Sequence, residues 1–338
     1  MTLTMEGNDQ ERIPEDGDCK PYNFSVVPFQ LEQHFEFIEI SEDGYLLLGS
    51  SNLVLNYWNG SIWYFKDADL APEKEHSLTG HGRDCGIACG KFLESKDKII
   101  VGDDSGALTI YHATTFENDT VHLIPQMIST HHDSSITSLS VTSSRTQTIS
   151  GGNDLAINVW DNESLVSEFK YSPAHTRTVT DVVACKEENS IFLFASSSLD
   201  GSALLWDTRM NKAASCIKEG IGCGLTALSW KNNNEIAIGL QSGKVAITDV
   251  RTNCDIAEET VMDCAIHKIL FDDKNLLAVC GDSTSVKVWD SNSKNIVYSD
   301  ERHTGFVRGL AWHPKSHKLY SCGFDKKVFS HQINTYES

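Results

Sequence analysis

The sequence predicts an all-β protein, a ring of repeated four-stranded blades, and three observations carry that prediction. First, a Trp-Asp dipeptide or its near-equivalent ends an apolar strand at Trp160-Asp161, Trp206-Asp207, Thr248-Asp249 and Trp289-Asp290. These endings recur roughly every 40–45 residues, the period of a WD-repeat β-propeller. Second, the same period reaches Val328-Phe329-Ser330-His331 downstream, and Leu108-Thr109-Ile110-Tyr111-His112 and Ile62-Trp63-Tyr64-Phe65-Lys66 upstream. Third, the segments between are short apolar strands and turns rich in Gly, Asn, Asp and Ser, with no long amphipathic helix. Seven strand endings then lie between about residues 31 and 333, enough to close a seven-bladed ring.

Taken in chain order, residues 1–22 stand apart. Glu6, Asp9, Glu11, Glu15, Asp16 and Asp18 face only Arg12 and Lys20, and there is almost no aliphatic run. This composition predicts a mobile, disordered acidic tail. Residues 23–333 are read as one propeller, because no low-complexity linker divides them and only seven prolines occur. Phe24-Ser25-Val26-Val27-Pro28-Phe29 reads as a strand, expected to supply the outer strand of the last blade and so close the ring. Tyr45 to Leu48, Lys98 to Val101, Ile191 to Phe194 and Leu276 to Val279 are predicted strands, each followed by a turn such as Gly102-Asp103-Asp104-Ser105-Gly106. Phe116 to Gln126 looks like a long insert. Residues 334–338 form a short C-terminal tail.

A second repeat lies within the first. His132, Ser150, Asp154 and Trp160 recur as His175, Ser196, Asp200 and Trp206, and again as His303, Ser321 and Asp325, with His331 in place of Trp. In a blade these side chains are expected to meet: the Asp accepts from the His, the His bonds the Ser hydroxyl, and the hydroxyl meets the indole N–H. A Ser-His-Asp catalytic triad is the competing interpretation, but a nucleophile is needed once and this set recurs three times. The structural interpretation is preferred.

Composition narrows what such a ring does. Lys and Arg number 28 against 47 Asp and Glu, for a formal net charge of −19. That charge disfavours direct contact with nucleic acid or anionic membranes and favours basic partners. No apolar run approaches a membrane span, and the acidic N-terminus does not read as a signal peptide. The ten cysteines include no C-x-x-C pair, so free thiols in a reducing compartment are expected. Metal ligation by Cys85 and Cys89 with nearby His81 is the minor alternative to free thiols. There is no phosphate-cradling Gly-rich loop, no G-x-S-x-G elbow and no H-E-x-x-H. The carboxylate pairs Asp103-Asp104 and Asp272-Asp273 fall in turns. The sequence therefore predicts a non-enzyme with no cofactor and no metal.

One stretch is more specific. Tyr45-Leu46-Leu47-Leu48-Gly49-Ser50-Ser51, followed by Tyr57-Trp58-Asn59-Gly60-Ser61-Ile62-Trp63-Tyr64-Phe65-Lys66-Asp67, resembles the first blade of the methylosome protein 50 family. Asp104-Ser105-Gly106-Ala107, Gln147 to Gly151 with Ile157 to Asp161, Leu204 to Arg209, and His303 with Phe306-Val307-Arg308 extend the likeness over about residues 31 to 333. Members of that family are WD-repeat subunits paired with the symmetric (type II) protein arginine methyltransferase. The resemblance implies a scaffold that binds this enzyme and helps present arginine-rich tails, such as those of Sm proteins and histones, in cytoplasm and nucleus. It also implies that Trp58 anchors the enzyme, flanked by Asn56, Tyr57 and Asn59. Asn59-Gly60 is a turn-forming pair, so Trp58 is expected at a loop tip; the alternative is an indole packed between blades. The family pattern is broken at Tyr111-His112, at Thr248-Asp249 and by the Phe116 to Gln126 insert.

A different function class is represented by Trp206-Asp207-Thr208-Arg209, which fits the W-D-x-R signature of substrate receptors for cullin-type ubiquitin ligases. There Asp207 and Arg209 would engage the adaptor, with Asp249-Val250-Arg251 a weak echo. Its bland alternative is an Arg paired with a neighbouring blade's carboxylate. A generic propeller scaffold with unrelated partners is the third reading.

Overall fold

The computed structural model describes residues 34–54, 57–187, 190–220 and 222–333, with side chains left undescribed at 53, 54, 57 and 58. The chain forms seven antiparallel sheets. Blade 1 comprises β1 (His34–Ile40), β2 (Leu46–Val54), β3 (Tyr57–Phe65) and β4 (Ser77–Arg83). Blade 2 comprises β5 (Ile87–Phe92), β6 (Lys98–Asp103), β7 (Leu108–Thr115) and β8 (Val121–Ser129). Blade 3 follows with β9 (Ile136–Val141), β10 (Gln147–Gly152), β11 (Ile157–Asp161) and β12 (Ser167–Tyr171). Blade 4 has β13 (Val179–Ala184), β14 (Leu193–Ser198), β15 (Ala203–Asp207) and β16 (Ser215–Lys218). Blade 5 has β17 (Leu225–Trp230), β18 (Glu235–Leu240), β19 (Lys244–Asp249) and β20 (Cys254–Thr260). Blade 6 has β21 (Ile266–Phe271), β22 (Leu276–Gly281), β23 (Val286–Asp290) and β24 (Asn295–Asp300). Blade 7 shows three strands among the described residues, β25 (Val307–Trp312), β26 (Leu319–Gly323) and β27 (Val328–His331). The expected closing strand, Phe24 to Phe29, lies outside the described residues, as do the acidic and C-terminal tails.

Burial explains why the blades assemble. Each blade is a twisted sheet with two apolar faces, and neither face can be left in water. Seven apolar clusters form, one at each junction between neighbouring blades. The seventh joins Phe35, Leu48 and Trp63 of blade 1 to Ala311, Tyr320 and Cys322 of blade 7, so packing closes the ring. Beside it, the Tyr320 hydroxyl donates to Asp69 at 2.6 Å and Lys318 pairs with Asp69 at 2.8 Å.

The inner strand of every blade makes the same irregularity. One residue near its start is skipped, and the residues on either side of it pair with consecutive residues of the next strand. Such a bulge re-aims the skipped side chain. Here the skipped residues are Glu36, Ala88, Thr137, Thr180, Thr226, His267 and Arg308, one per blade, and all line the mouth of the central channel.

Two hairpins depart from the regular blade. The β2–β3 register runs from Leu46↔Phe65 to Val54↔Tyr57, well beyond the point where the flanking strands stop at Ser51 and Gly60. The extension forms a two-stranded arm on the face where the inner strands begin. The β7–β8 hairpin runs from Leu108↔Ser129 to Thr115↔Val121 and projects on the opposite face. This corrects the expected insert. Only residues 116–120 turn; from Val121 onward the chain is strand, because Leu123 is buried and Val121 packs on the blade 1–2 cluster.

Candidate partner-binding surfaces and the polar chains that support them

The arm carries the residues expected to bind a partner. Trp58 lies on β3 opposite Leu53, and Tyr57 opposite Val54, one register step nearer the tip. Asn56 is outside the described residues. Asn59 is half-buried and pairs with Asn52, and Gly60 pairs with Ser51. The expected turn at Asn59-Gly60 is therefore corrected to strand. A glycine is required there for close approach: a Cβ on Gly60 would come within 2.4 Å of the Cys85 carbonyl oxygen. Pairing continues outward from there to Val54 and Tyr57. Sequence reasoning read the Asn-Gly pair as a turn because that pair favours turns; cross-strand pairing outweighed the preference.

Beneath this surface lie the repeated polar sets. In blade 3 the Trp160 indole N–H donates to Ser150 Oγ at 2.8 Å. The Ser150 hydroxyl then donates to His132 Nε2 at 2.7 Å, and His132 Nδ1–H donates to Asp154 at 3.0 Å. This direction follows from the indole, which can only donate. Blade 4 repeats the chain: Trp206 to Ser196 at 2.7 Å, Ser196 to His175 at 2.7 Å, and His175 to Asp200 at 3.2 Å. His175 Nδ1 also lies 3.0 Å from the Ser202 hydroxyl. Burial pulls His132 and His175 below the usual histidine range, despite their carboxylate partners. Burial tends to raise Asp200, but bonds from Ser202 and the Thr176 N–H outweigh it and hold the carboxyl at about 2. In both sets the indole N–H, the Ser hydroxyl and the imidazole N–H each reach an acceptor.

Where the Trp is missing, the chain is rebuilt. In blade 7 the Ser321 hydroxyl donates to His303 Nε2 at 2.8 Å, and His303 Nδ1–H donates to Asp325 at 3.0 Å. His331 takes the indole's place and donates from Nε2 to Ser321 at 2.7 Å. Its Nδ1 accepts from Arg302 at 3.2 Å, beside Asp300 at 3.1 Å. Burial lowers His331 to about 4. In blade 2 Tyr111 occupies the Trp position, and Arg83 serves it at 2.9 Å while pairing with Asp103 at 2.5 Å. In blade 5 Thr248 donates to Asp255 at 2.7 Å. In blade 1 Trp63 donates to Ser61 at 2.8 Å, and Ser61 meets Ser50 at 2.7 Å.

One group that sequence reasoning missed ties four blades together. Asp181 accepts from the Ser138 hydroxyl at 2.6 Å, the Leu228 N–H at 3.0 Å and Lys268 Nζ at 3.3 Å. It stands on blade 4, and these partners come from blades 3, 5 and 6. No repeat spacing marks it, because the other inner strands place unrelated residues at that level.

Asp207 and Arg209 lie on blade 4, away from the blade 1 arm in the sequence of blades. Arg209 chelates its own neighbour, from Nε to Asp207 Oδ1 at 2.8 Å and from Nη2 to Oδ2 at 2.5 Å. Its guanidinium also covers the Phe192 ring, 4.8 Å from its centre, and the side chain stays 65% exposed. The expected pairing with a neighbouring blade is thus corrected to a pairing within one turn. Arg251 repeats this geometry with Asp249, whereas Arg302 bonds Asp300 through Nε alone and turns Nη2 to the Ser330 carbonyl and His331. The bond from Arg209 lowers the Asp207 carboxyl. The nine described cysteines are free thiols, and no cluster of metal-ligating side chains occurs among the described residues.

Comparison with known proteins gives this geometry a family. Methylosome protein WDR77 of Xenopus laevis is 31% identical over 322 residues, which is 91% of this chain and 92% of that protein. The chain belongs to the WDR77 family of methylosome WD-repeat proteins. The WD domain, G-beta repeat, matches residues 125–161, and the N-terminal domain of nucleolar protein 10-like proteins matches residues 168–317. More distant likenesses cover small parts of larger proteins. The APC/C activator protein CDC20 of Saccharomyces cerevisiae is 27% identical over 178 residues, 50% of this chain and 27% of that protein. Protein transport protein Sec31A of Danio rerio is 23% identical over 250 residues, 70% of this chain and 20% of that protein. As a WDR77-family member, the chain is a non-catalytic seven-bladed WD-repeat propeller. The recurring Ser-His-Asp sets belong to its framework.

Proposed function

We propose that this chain is a scaffold subunit of a methylosome. It would hold the symmetric protein arginine methyltransferase through the blade 1 arm, with Trp58 as anchor and Asn56, Tyr57 and Asn59 beside it. It would also help present arginine-rich tails, such as those of Sm proteins and histones, in cytoplasm and nucleus. One observation carries this reading: near full-length likeness to a methylosome protein, spanning 91% of this chain and 92% of the relative. Two features fit. A hairpin extended beyond its sheet, as β2–β3 is, has main-chain groups free to meet a partner. A net charge of −19 favours encounter with basic tails.

Size-exclusion chromatography with light scattering, using the purified chain and the symmetric methyltransferase of the same organism, tests the proposal directly. Co-elution and faster methylation of an arginine-rich tail are expected, and Trp58→Ala should weaken both. Separate elution with unchanged activity would overturn the scaffold reading. The W-D-x-R alternative is tested in the same format with a cullin-ligase adaptor. Co-elution that Arg209→Ala abolishes would favour that alternative, since the Arg209 side chain is largely exposed.

A further inference from the structure

Charge is shared unevenly among the blades. From its first described strand to its last, residues 307–331, blade 7 carries Arg308, Lys315, Lys318, Lys326 and Lys327 against Asp325 alone. Over the corresponding span every other blade holds more carboxylates than cations. Lys315 and Lys318 reach across to Asp43 and Asp69 of blade 1, and Arg308 turns to Asp282 at the channel mouth. Lys326 and Lys327 are exposed in the turn between β26 and β27, whose Asp325 is buried against His303. Blade 7 is the one basic blade of a chain with net charge −19.

The chain enters the ring at that same turn. The first strand starts at His34, whose ring lies 4.5 Å from the ring of Phe324, two residues before Lys326. Burial lowers the His34 imidazole below the usual histidine range, and the charges of Lys326 and Arg308 lower it further. Both cations therefore stand close to the point of entry. Upstream of His34 lie Glu6, Asp9, Glu11, Glu15, Asp16 and Asp18, against only Arg12 and Lys20. Fully extended, the chain from Lys20 to His34 spans about 46 Å, so reach admits several blades and charge decides among them. Six blades carry the repelling sign, and the turn at the entry carries the attracting one.

We propose that the acidic stretch of residues 6–18 docks on the Lys326-Lys327 turn of blade 7, an interaction surface whose occupant is this chain's own N-terminal segment. Exposed lysines are well solvated, and each surface ion pair is weak. Tethering offsets this weakness. A linked segment meets its site at an effective concentration on the order of millimolar, so a contact too weak to form between separate molecules is populated within one. The turn lies on the face that carries the blade 1 arm, and the docked stretch covers blade 7 beside that arm. The docking does not depend on the methyltransferase reading.

Carbodiimide cross-linking of the full-length chain at low salt, followed by mass-spectrometric peptide mapping, tests the proposal. Equal parts of unlabelled and heavy-nitrogen chain separate links within one molecule from links between two. Links within one molecule from residues 6–18 to Lys326 or Lys327 should exceed those to the exposed Lys212, Lys274 or Lys294 about fivefold, and about 0.5 M sodium chloride should remove most of that excess. A lysine variant deletes its own cross-link, so the second readout is cleavage after Glu11 and Glu15 by a glutamate-specific protease. The double variant Lys326→Gln, Lys327→Gln should be cut there about threefold faster than wild type at low salt. Lys244→Gln, at an exposed pair with Glu258 on blade 5, should be cut as wild type is. Circular dichroism verifies that each variant folds. Links spread over the lysines of all blades, links only between molecules, or equal cleavage of wild type and double variant would overturn the docking.

Discussion

Blades 3 and 4 and blades 1 and 2 solve one problem in two ways. Each blade must bury a large aromatic or its substitute near the outer sheet and still satisfy the polar groups at the turn. Blades 3 and 4 use one relay, Trp to Ser to His to Asp, with every link between 2.7 and 3.2 Å. Blade 2 substitutes an Arg83–Tyr111–Asp103 set, and blade 1 a Ser50–Ser61–Trp63 set without histidine. The regular pair is built for framework. The irregular pair carries both long hairpins, and their irregularity at the relay coincides with their projecting arms. What the difference teaches is that the relay is one solution to buried polar satisfaction and not a requirement of the ring.

The sharpest break of this comparison is at Asp181, where the regular half is tied across the channel. Asp181→Ala should cost about 3–5 kcal/mol, because it strands Lys268, the Ser138 hydroxyl and the Leu228 N–H together. Urea denaturation measures it, and a loss under about 1 kcal/mol would show that the blades hold without this tie.

Acid should act next most strongly, through the relay histidines. His331 has a folded pKa of about 4, below its unfolded value near 6.5. The unfolded chain therefore binds the proton first as pH falls. Stability from this group is fully present above about pH 6.5 and is lost as pH falls toward 4, at about 1.4 kcal/mol per pH unit. His331→Trp, which places in blade 7 the indole that blades 3 and 4 carry, should flatten the decline between pH 6.5 and 4.5 by about that amount. Denaturation midpoints at the two pH values, for wild type and variant, decide it; an unchanged slope would mean that His331 titrates normally.

Within blade 4, Asp200→Ala should cost about 2 kcal/mol by leaving His175 Nδ1–H and the Thr176 N–H short of an acceptor. An unchanged denaturation midpoint would sever the relay from stability. The smallest expected effect on stability is in blade 1: Trp58→Ala should change it by less than about 0.5 kcal/mol, since the arm extends beyond the sheet. A loss of several degrees in Tm with intact methyltransferase binding would place that indole in the core and erase the contrast between decorated and framework blades.

Much of this was legible because repetition is legible. The Trp-Asp endings, the strand count and the three His-Ser-Asp sets all recur at fixed spacing, so each copy supports the others. The single-copy features escaped. Arg83 gives no signal that it replaces a histidine, since its partners Tyr111 and Asp103 are about 20 to 30 residues away and unlike those of any other blade. Asp181 is one acidic residue in an otherwise ordinary strand. Asn59-Gly60 was misplaced because local turn preference was weighed without the pairing that continues past it, and Phe116 to Gln126 because a strand on a sheet edge alternates weakly.

By itself the sequence determined the all-β class, the number of blades, the relay residues and the family, since these follow from local patterns repeated along the chain. Only the tertiary structure decided how far the blade 1 arm reaches, that Arg209 grips its own Asp207, and that Asp181 joins four blades. The physical reason is closure. A ring brings side chains from every blade to one axis, and charges that meet there come from positions that no period along the chain connects.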